Sequence, residues 1–386
     1  MSLEKRSTGL VLLWCVLATT SCQKRLIPTS IDWRSLPKDR VVETGSNSRF
    51  LPERTIHPPL ESRHEFRLSS APKQKIERIG HILLVPTKDG RLQSIDLVTK
   101  KKIGQMKIGN DIQANVLPIG ESLLVSLEFG KESLFLFDPA ENETIWKAEL
   151  GSIKTYPILY EDKIFVASLY RGIFCLDTNN GSILWNTPLQ SQLHANPVIH
   201  NSYIVQGMES GMVAALSLET GEVKWKLELK SPILASPISV AGTAILCTNE
   251  GTVAAVSSDG KLIWEKKFDF GFRRTPAAVD NKLIIAGQDG VVRALDLNDG
   301  SLLWSYETGT VIGTTPVAMS QYVIFGTLDK RLMYLSLETG QEIWEIELLG
   351  RVRTDPVLWE DQLILGSENN YIYILESSAA SQPAAR

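Results

Sequence analysis

Chemistry in a folded chain needs nucleophiles, metal ligands or paired acids at workable spacings, and this 386-residue sequence offers few of them. Its five histidines (His57, His64, His81, His194 and His200) form no H-x-x-x-H pair, and its four cysteines form no C-x-x-C pair, so neither metal spacing is present. His194 and His200 flank one short apolar run, but two imidazoles alone do not make a metal site. Cys175 and Cys247 fall in repeats that are not neighbours, which argues against a disulfide and for two small buried side chains. No G-x-S-x-G elbow or phosphate-cradling glycine loop occurs. Asp96, Asp138, Asp177 and Asp296 recur at one position of a repeat, which implies hydrogen bonding at a turn and not a unique catalytic acid. The expectation is a non-enzymatic chain with no catalytic residue, no cofactor site and no metal site.

Binding chemistry is better represented. Short stretches before a recurring proline differ from repeat to repeat: Lys154-Thr155-Tyr156, His194-Ala195-Asn196, Arg273-Arg274-Thr275, Gly313-Thr314-Thr315 and Arg353-Thr354-Asp355. Such variation on an otherwise regular frame marks loops that carry function. Phe268-Asp269-Phe270-Gly271-Phe272, just before the Arg pair, is aromatic without a core period. Aromatics beside arginine are the composition of interface anchors, although the same phenylalanines could equally tuck between repeats. The candidate partner-binding residues are therefore Phe270, Phe272, Arg273, Arg274, Arg353, Asp355 and His194.

The elements that must position these loops follow from periodicity. Trp146, Trp185, Trp225, Trp264, Trp304 and Trp344 recur every 39 or 40 residues, and Pro118, Pro157, Pro197, Pro237, Pro276, Pro316 and Pro356 keep the same beat. A seventh copy, 89–104, has Gly104 where the tryptophan belongs. Each repeat reads as four short β-rich runs separated by Gly, Asn and Asp turns, which is one blade of an all-β propeller. Gly181, Gly221, Gly260, Gly300 and Gly340, with Asn142 in the second repeat, sit where a turn requires positive φ. The tryptophans are expected between neighbouring blades as docking side chains. After the seventh complete repeat only three strands remain (354–358, 362–367 and 371–376), and 64–69 has no other partner. It supplies the missing outer strand, giving eight four-stranded antiparallel blades with the ring closed by an N-terminal strand.

The remaining segments divide the chain. Residues 1–21 carry Lys5 and Arg6, then a short apolar run, then small residues before Cys22: a secretory signal too short to span a bilayer. Residues 22–63 are proline-rich and read as an extended tether, with Ile31 and Trp33 either docking on the propeller or a partner or, more simply, isolated in the tether. The propeller is assigned to 64–376, and 377–386 is a small polar tail expected to be disordered. Net charge of −4, with 43% hydrophobic and 22% charged residues, fits a globular fold and gives no nucleic-acid footprint.

The run Ala-x-Asp-x-x-x-Gly-x-x-x-Trp is whole at 294–304 and appears at 215–225 with Ser217 for Asp. It resembles the tryptophan-docking (WD-like) repeat of PQQ-type eight-bladed propellers over about 310 residues, essentially the folded part. The small residues before Cys22 resemble a lipobox, with Thr19 where leucine is usual. Together these resemble the BamB family, propeller lipoproteins of outer-membrane β-barrel assembly. The resemblance implies lipidation at Cys22, an outer-membrane anchor with the domain facing the periplasm, a scaffold role, and BamA or another barrel-assembly subunit as partner. Two departures are visible. The family's Leu-x-Leu-Arg run has its nearest counterpart at 190–196, which keeps Leu193 without the Arg, and its Asp-x-Asp pair falls at 231–236, which has no Asp. The alternative is a scaffold or ligand sensor for another envelope partner, with the longer PQQ-dependent dehydrogenases last, because their vicinal cysteine pair is absent.

Overall fold

A computed structural model describes residues 25–28, 30–35, 50–51, 56–73, 75–108, 114–319 and 321–378. The expected signal segment, Cys22 and most of the expected tail lie outside these residues.

Eight sheets, each with four antiparallel strands, form in succession; the short strand Phe50–Leu51 adds in parallel to Val317–Met319 of the seventh, and the eighth is completed by Leu60–Arg67 pairing with Tyr371–Ser377. Both the eight-bladed propeller and its closure by an N-terminal strand hold. The closing strand begins four residues before the expected 64. The tail begins later than expected, because strand pairing runs to Ser377 and Ser378 N donates to Pro59 O at 2.9 Å. Most inner strands begin after the proline, as in Val198–His200 and Ala277–Val279, so the proline ends the lead-in loop instead of lying within the strand. Blade 2 is the exception, with Pro118 inside Ala114–Ile119.

The recurring residues act as their chemistry requires. Asp138 Oδ1 accepts from Ala140 N (2.8 Å) and Glu141 N (3.1 Å), and Asp96, Asp177 and Asp296 cap their turns in the same way. Five of the six docking tryptophans donate to the next blade: Trp146 Nε1 to Thr178 O, Trp185 to Leu218 O, Trp225 to Ser258 O, Trp264 to Leu297 O and Trp304 to Leu337 O, at 2.9–3.2 Å. The turn glycine lies flat on that indole. At Gly340, φ is +71° and a Cβ would come within 2.4 Å of Trp304 Cε3. A bulge just before each tryptophan, for example between Trp304 opposite Ala294 and Leu302 opposite Leu295, leaves one extra residue outward and aims the indole at its neighbour.

Two blades break the pattern, and the N-terminal segment repairs both. In blade 1, Gly104 leaves the indole niche empty, and a strap formed by residues 25–28 and 30–35 fills it. Leu26, Ile27 and Trp33 are buried against Ile82, Leu84 and Leu92 of blade 1 and Val116, Leu123 and Val125 of blade 2. Trp33 Nε1 donates to Glu121 O at 2.7 Å, Gln105 N to Arg25 O at 3.2 Å, and Ser94 Oγ to Leu26 O. A Cβ on Gly104 would stand 2.0 Å from Leu26 O, so the glycine is what admits the strap. Arg34 lies within 3.5 Å of Glu121, Asp138 and Glu141 on blade 2. In blade 8 the third strand, Tyr371–Ser377, and the outer strand, Leu60–Arg67, are not joined by a turn that could cover Trp344, and Ile56 packs into that cluster. His57 Nδ1 lies 3.1 Å from Tyr322 Oη, and Ser377 Oγ donates to His57 O. The reading of 22–63 as a free tether, with Trp33 isolated in it, is therefore corrected: its described parts are built into the ring.

Candidate protein-interaction face

Strand alternation places the lead-in loops and the second-to-third turns on one face of the disc. The lead-in loops are short because each is hydrogen-bonded to the turn beside it. Examples are Leu169 N to Ser152 O, Glu209 N to Gln192 O, Asn249 N to Pro232 O and Glu368 N to Arg351 O, at 2.8–3.1 Å. Around the channel, Asn115 Nδ2 donates to Thr155 O, Tyr156 N to Asn196 Oδ1 and Asn196 N to Ser236 Oγ, at 2.9–3.0 Å. Each bond links one blade to the next, so the arc of the mouth from blade 2 to blade 5 is preorganised.

The sequence-predicted residues all lie on this face, but not in one cluster. Arg273 is exposed, with Nε donating to Asn249 Oδ1 at 3.0 Å, and Arg274 beside it is half-buried. Arg353 is exposed with its guanidinium 3.3 Å from Glu368 Oε1, and Arg351 reaches the other oxygen at 3.7 Å. Asp355 is half-buried at the channel. His194 Nε2 lies 3.2 Å from Gln192 Oε1 and 3.8 Å from Glu209 Oε2.

The phenylalanines resolve in favour of packing. Phe272 is 1% exposed in the cluster between blades 5 and 6, with Phe268 and Phe270 half-buried against it at ring distances of 5.3–5.6 Å. The Arg293 guanidinium covers Phe270 at 4.1 Å while paired to Asp289. Phe272 is thus a core residue, not a partner anchor, and Phe270 offers only an edge. Gly271 explains the docking: a Cβ there would meet Asn249 O at 1.8 Å, so this loop lies directly on its neighbour.

Sequence reading missed the second-to-third turns. Phe129 of blade 2 and Tyr170 of blade 3 are 60% and 66% exposed, the large aromatics that do face solvent here. They were indistinguishable from turn residues in the sequence. Only their exclusion from every interblade cluster identifies them. Near them Lys154 pairs with Glu128 at 3.3 Å, and Lys75 Nζ stands 4.8 Å from the Tyr156 ring centre. Burial lowers the Lys73 pKa, with Lys88 adding to the shift, Glu128 opposing it and Arg353 adding to it. Lys75, Lys154 and Arg353, paired to Glu77, Glu128 and Glu368, thus share this face with two exposed aromatics.

Chemistry of other kinds finds little support. Cys175 and Cys247 are buried free thiols in blades 3 and 5, each pushed up to about 12 by burial. Among the described residues no group of His, Cys, Asp or Glu could hold a metal ion, and no helix is long and apolar enough to cross a membrane.

Comparison with known proteins sets this geometry in context. The family model for outer membrane protein assembly factor BamB matches residues 130–239 and 209–382. The outer membrane protein assembly factors BamB of Salmonella typhimurium and Escherichia coli K12 are each 25% identical over 165 residues, 42% of this chain and 32% of the relative. The match therefore spans less than half of either relative's length. Among solved structures, BamB from Moraxella catarrhalis superposes with a TM-score of 0.71 at 19% identity, covering 82% of this chain and 99% of that one. The quinohemoprotein alcohol dehydrogenase of Comamonas testosteroni gives 0.68 at 12% identity, covering 88% and 80%. At such identities the likeness to both is one of fold alone.

Proposed function

The chain belongs to the family of outer membrane protein assembly factor BamB, and from that premise we propose that it is a non-enzymatic envelope scaffold that holds a partner protein on its lead-in face. The observation that carries this reading is the exposure of Phe129 and Tyr170 on adjacent blades beside a hydrogen-bonded, preorganised arc of the channel mouth. Exposed aromatics on a rigid support lose little entropy on binding and bury a large area, which is the composition of binding hot spots.

In this reading residues 1–21 are removed, Cys22 carries the lipid, and the propeller faces the periplasm from the outer membrane. The partner is BamA or another subunit of the barrel-assembly machinery, reached without the family's Leu-x-Leu-Arg and Asp-x-Asp contacts. Detergent-solubilised full-length protein, purified by affinity and analysed by mass spectrometry, should bring down such a subunit. Recovery of only unrelated envelope proteins overturns the assembly role. A Phe129→Ala/Tyr170→Ala variant should lose capture by at least about tenfold while keeping its fold. Full capture by that variant overturns the assigned surface.

A further inference from the structure

The strap fixes where the N-terminus leaves the disc. Arg25 O is bonded to Gln105 N on the outer strand of blade 1, so the chain emerges at that rim and nowhere else. Only Gln23 and Lys24 lie between Cys22 and Arg25, a reach of at most about 10 Å over three steps of chain. A membrane holding a lipid on Cys22 must therefore lie close to the rim of blade 1.

That rim has a charge pattern no other rim shares. The outer strand Lys101–Lys107 (KKIGQMK) carries three lysines and no carboxylate, and Lys101, Lys102 and Lys107 are all exposed. The other outer strands include Glu143 and Lys147 in blade 2, no charge in blade 3, Glu228 among lysines in blade 4 and Glu265 among lysines in blade 5. Blade 6 has Glu307, blade 7 has Glu342, Glu345 and Glu347, and blade 8 alternates Glu61, Arg63, Glu65 and Arg67. Arg34 adds nothing to the basic rim, being committed to three carboxylates of blade 2.

We propose that the blade 1 rim is a membrane-facing edge, in which Lys101, Lys102 and Lys107 engage anionic phospholipid headgroups and the docked strap holds the disc edge-on to the bilayer. The proposal rests on the anchored reading for its cellular meaning, but the lysines and the strap act without the lipid. Lysines within a Debye length of an anionic surface each strengthen attachment, and the effect weakens as salt rises.

The test uses the chain from residue 22 with Cys22→Ser and vesicles of phosphatidylglycerol and phosphatidylcholine in equal parts. The protein should sediment with these vesicles and not with pure phosphatidylcholine. Lys101→Glu/Lys102→Glu/Lys107→Glu should lower the partition by about 100-fold or more. The matched change on the opposite rim, Lys261→Glu/Lys266→Glu/Lys267→Glu in blade 5, should leave it nearly unchanged. Equal loss from both triple variants, or no preference for anionic vesicles, overturns the proposal. The mass of the mature wild-type N-terminus reports separately on lipidation, so a failed anchor and a failed edge are told apart.

Discussion

Replacing Trp33 with alanine probes the strap most directly. Trp33 is 1% exposed, so the change removes roughly 200 Å² of buried surface, about 5 kcal/mol at ~25 cal/mol/Å². Core Trp→Ala changes cost about 3–5 kcal/mol, and losing the bond to Glu121 O adds about 1 kcal/mol. The loss has a ceiling, because once the strap leaves the niche nothing further is lost. Ordering the backbone of residues 25–35 opposes docking by about 1–2 kcal/mol per residue, so the net docking energy is well below the sum of contacts. A loss of about 3 kcal/mol then shifts the open population by about 100-fold. Trypsin cleavage after Arg34 under native conditions tracks that population and should rise by the same factor, up to the rate of an undocked strap. The remaining blades should keep their melting behaviour. A cleavage rate within about threefold of the parent would refute the claim that the indole holds the strap.

Other outcomes follow from the same geometry. Gly104→Trp restores the repeat consensus, yet its Cβ would meet Leu26 O at 2.0 Å, so it should release the strap as Trp33→Ala does, read by the same digestion. Trp304→Ala should lower the stability of blades 6 and 7 by about 3–5 kcal/mol in urea unfolding. Gly340→Ala, at φ +71° and 2.4 Å from that indole, should destabilise the same pair of blades without removing any side chain. Burial raises both thiols from 9.0 to about 12. Their contribution to stability is therefore complete below pH 9 and lost as pH rises from 9 towards 12. Urea midpoints of a Cys175→Ala/Cys247→Ala variant should fall less steeply over that window than those of the parent, and neither native thiol should react with Ellman's reagent at pH 8.

The frame of this fold was legible because it is repeated. Six tryptophans and seven prolines in phase set the blade length, and the turn aspartates and glycines followed from it. The closing strand at Leu60–Arg67 was legible because blade 8 was one strand short. What the sequence hid was everything made once. Gly104 was visible as an exception, but its partner, Leu26, is nearly eighty positions away in a stretch with no period. Phe272 and Phe129 show the same limit from opposite sides. Both are aromatic residues in loops, and only the approach of Gly271 to Asn249 buries the first while the second has no neighbour to enter. The candidate site was therefore readable as a face and not as a residue set.

The pairing of Leu60–Arg67 with Tyr371–Ser377 also sets a timetable. The first strand of the ring to be made is the last to find its partner, some three hundred residues later. Until then blade 8 lacks its outer strand, blade 1 lacks its neighbour, and both expose strand edges. Such long-range closure is slow and leaves an incomplete ring open to edge-to-edge pairing with other chains. Premature termination anywhere before Tyr371 therefore removes more than the missing residues, since it leaves the opening strand with nothing to close upon. Chain completion itself becomes the checkpoint for a finished disc.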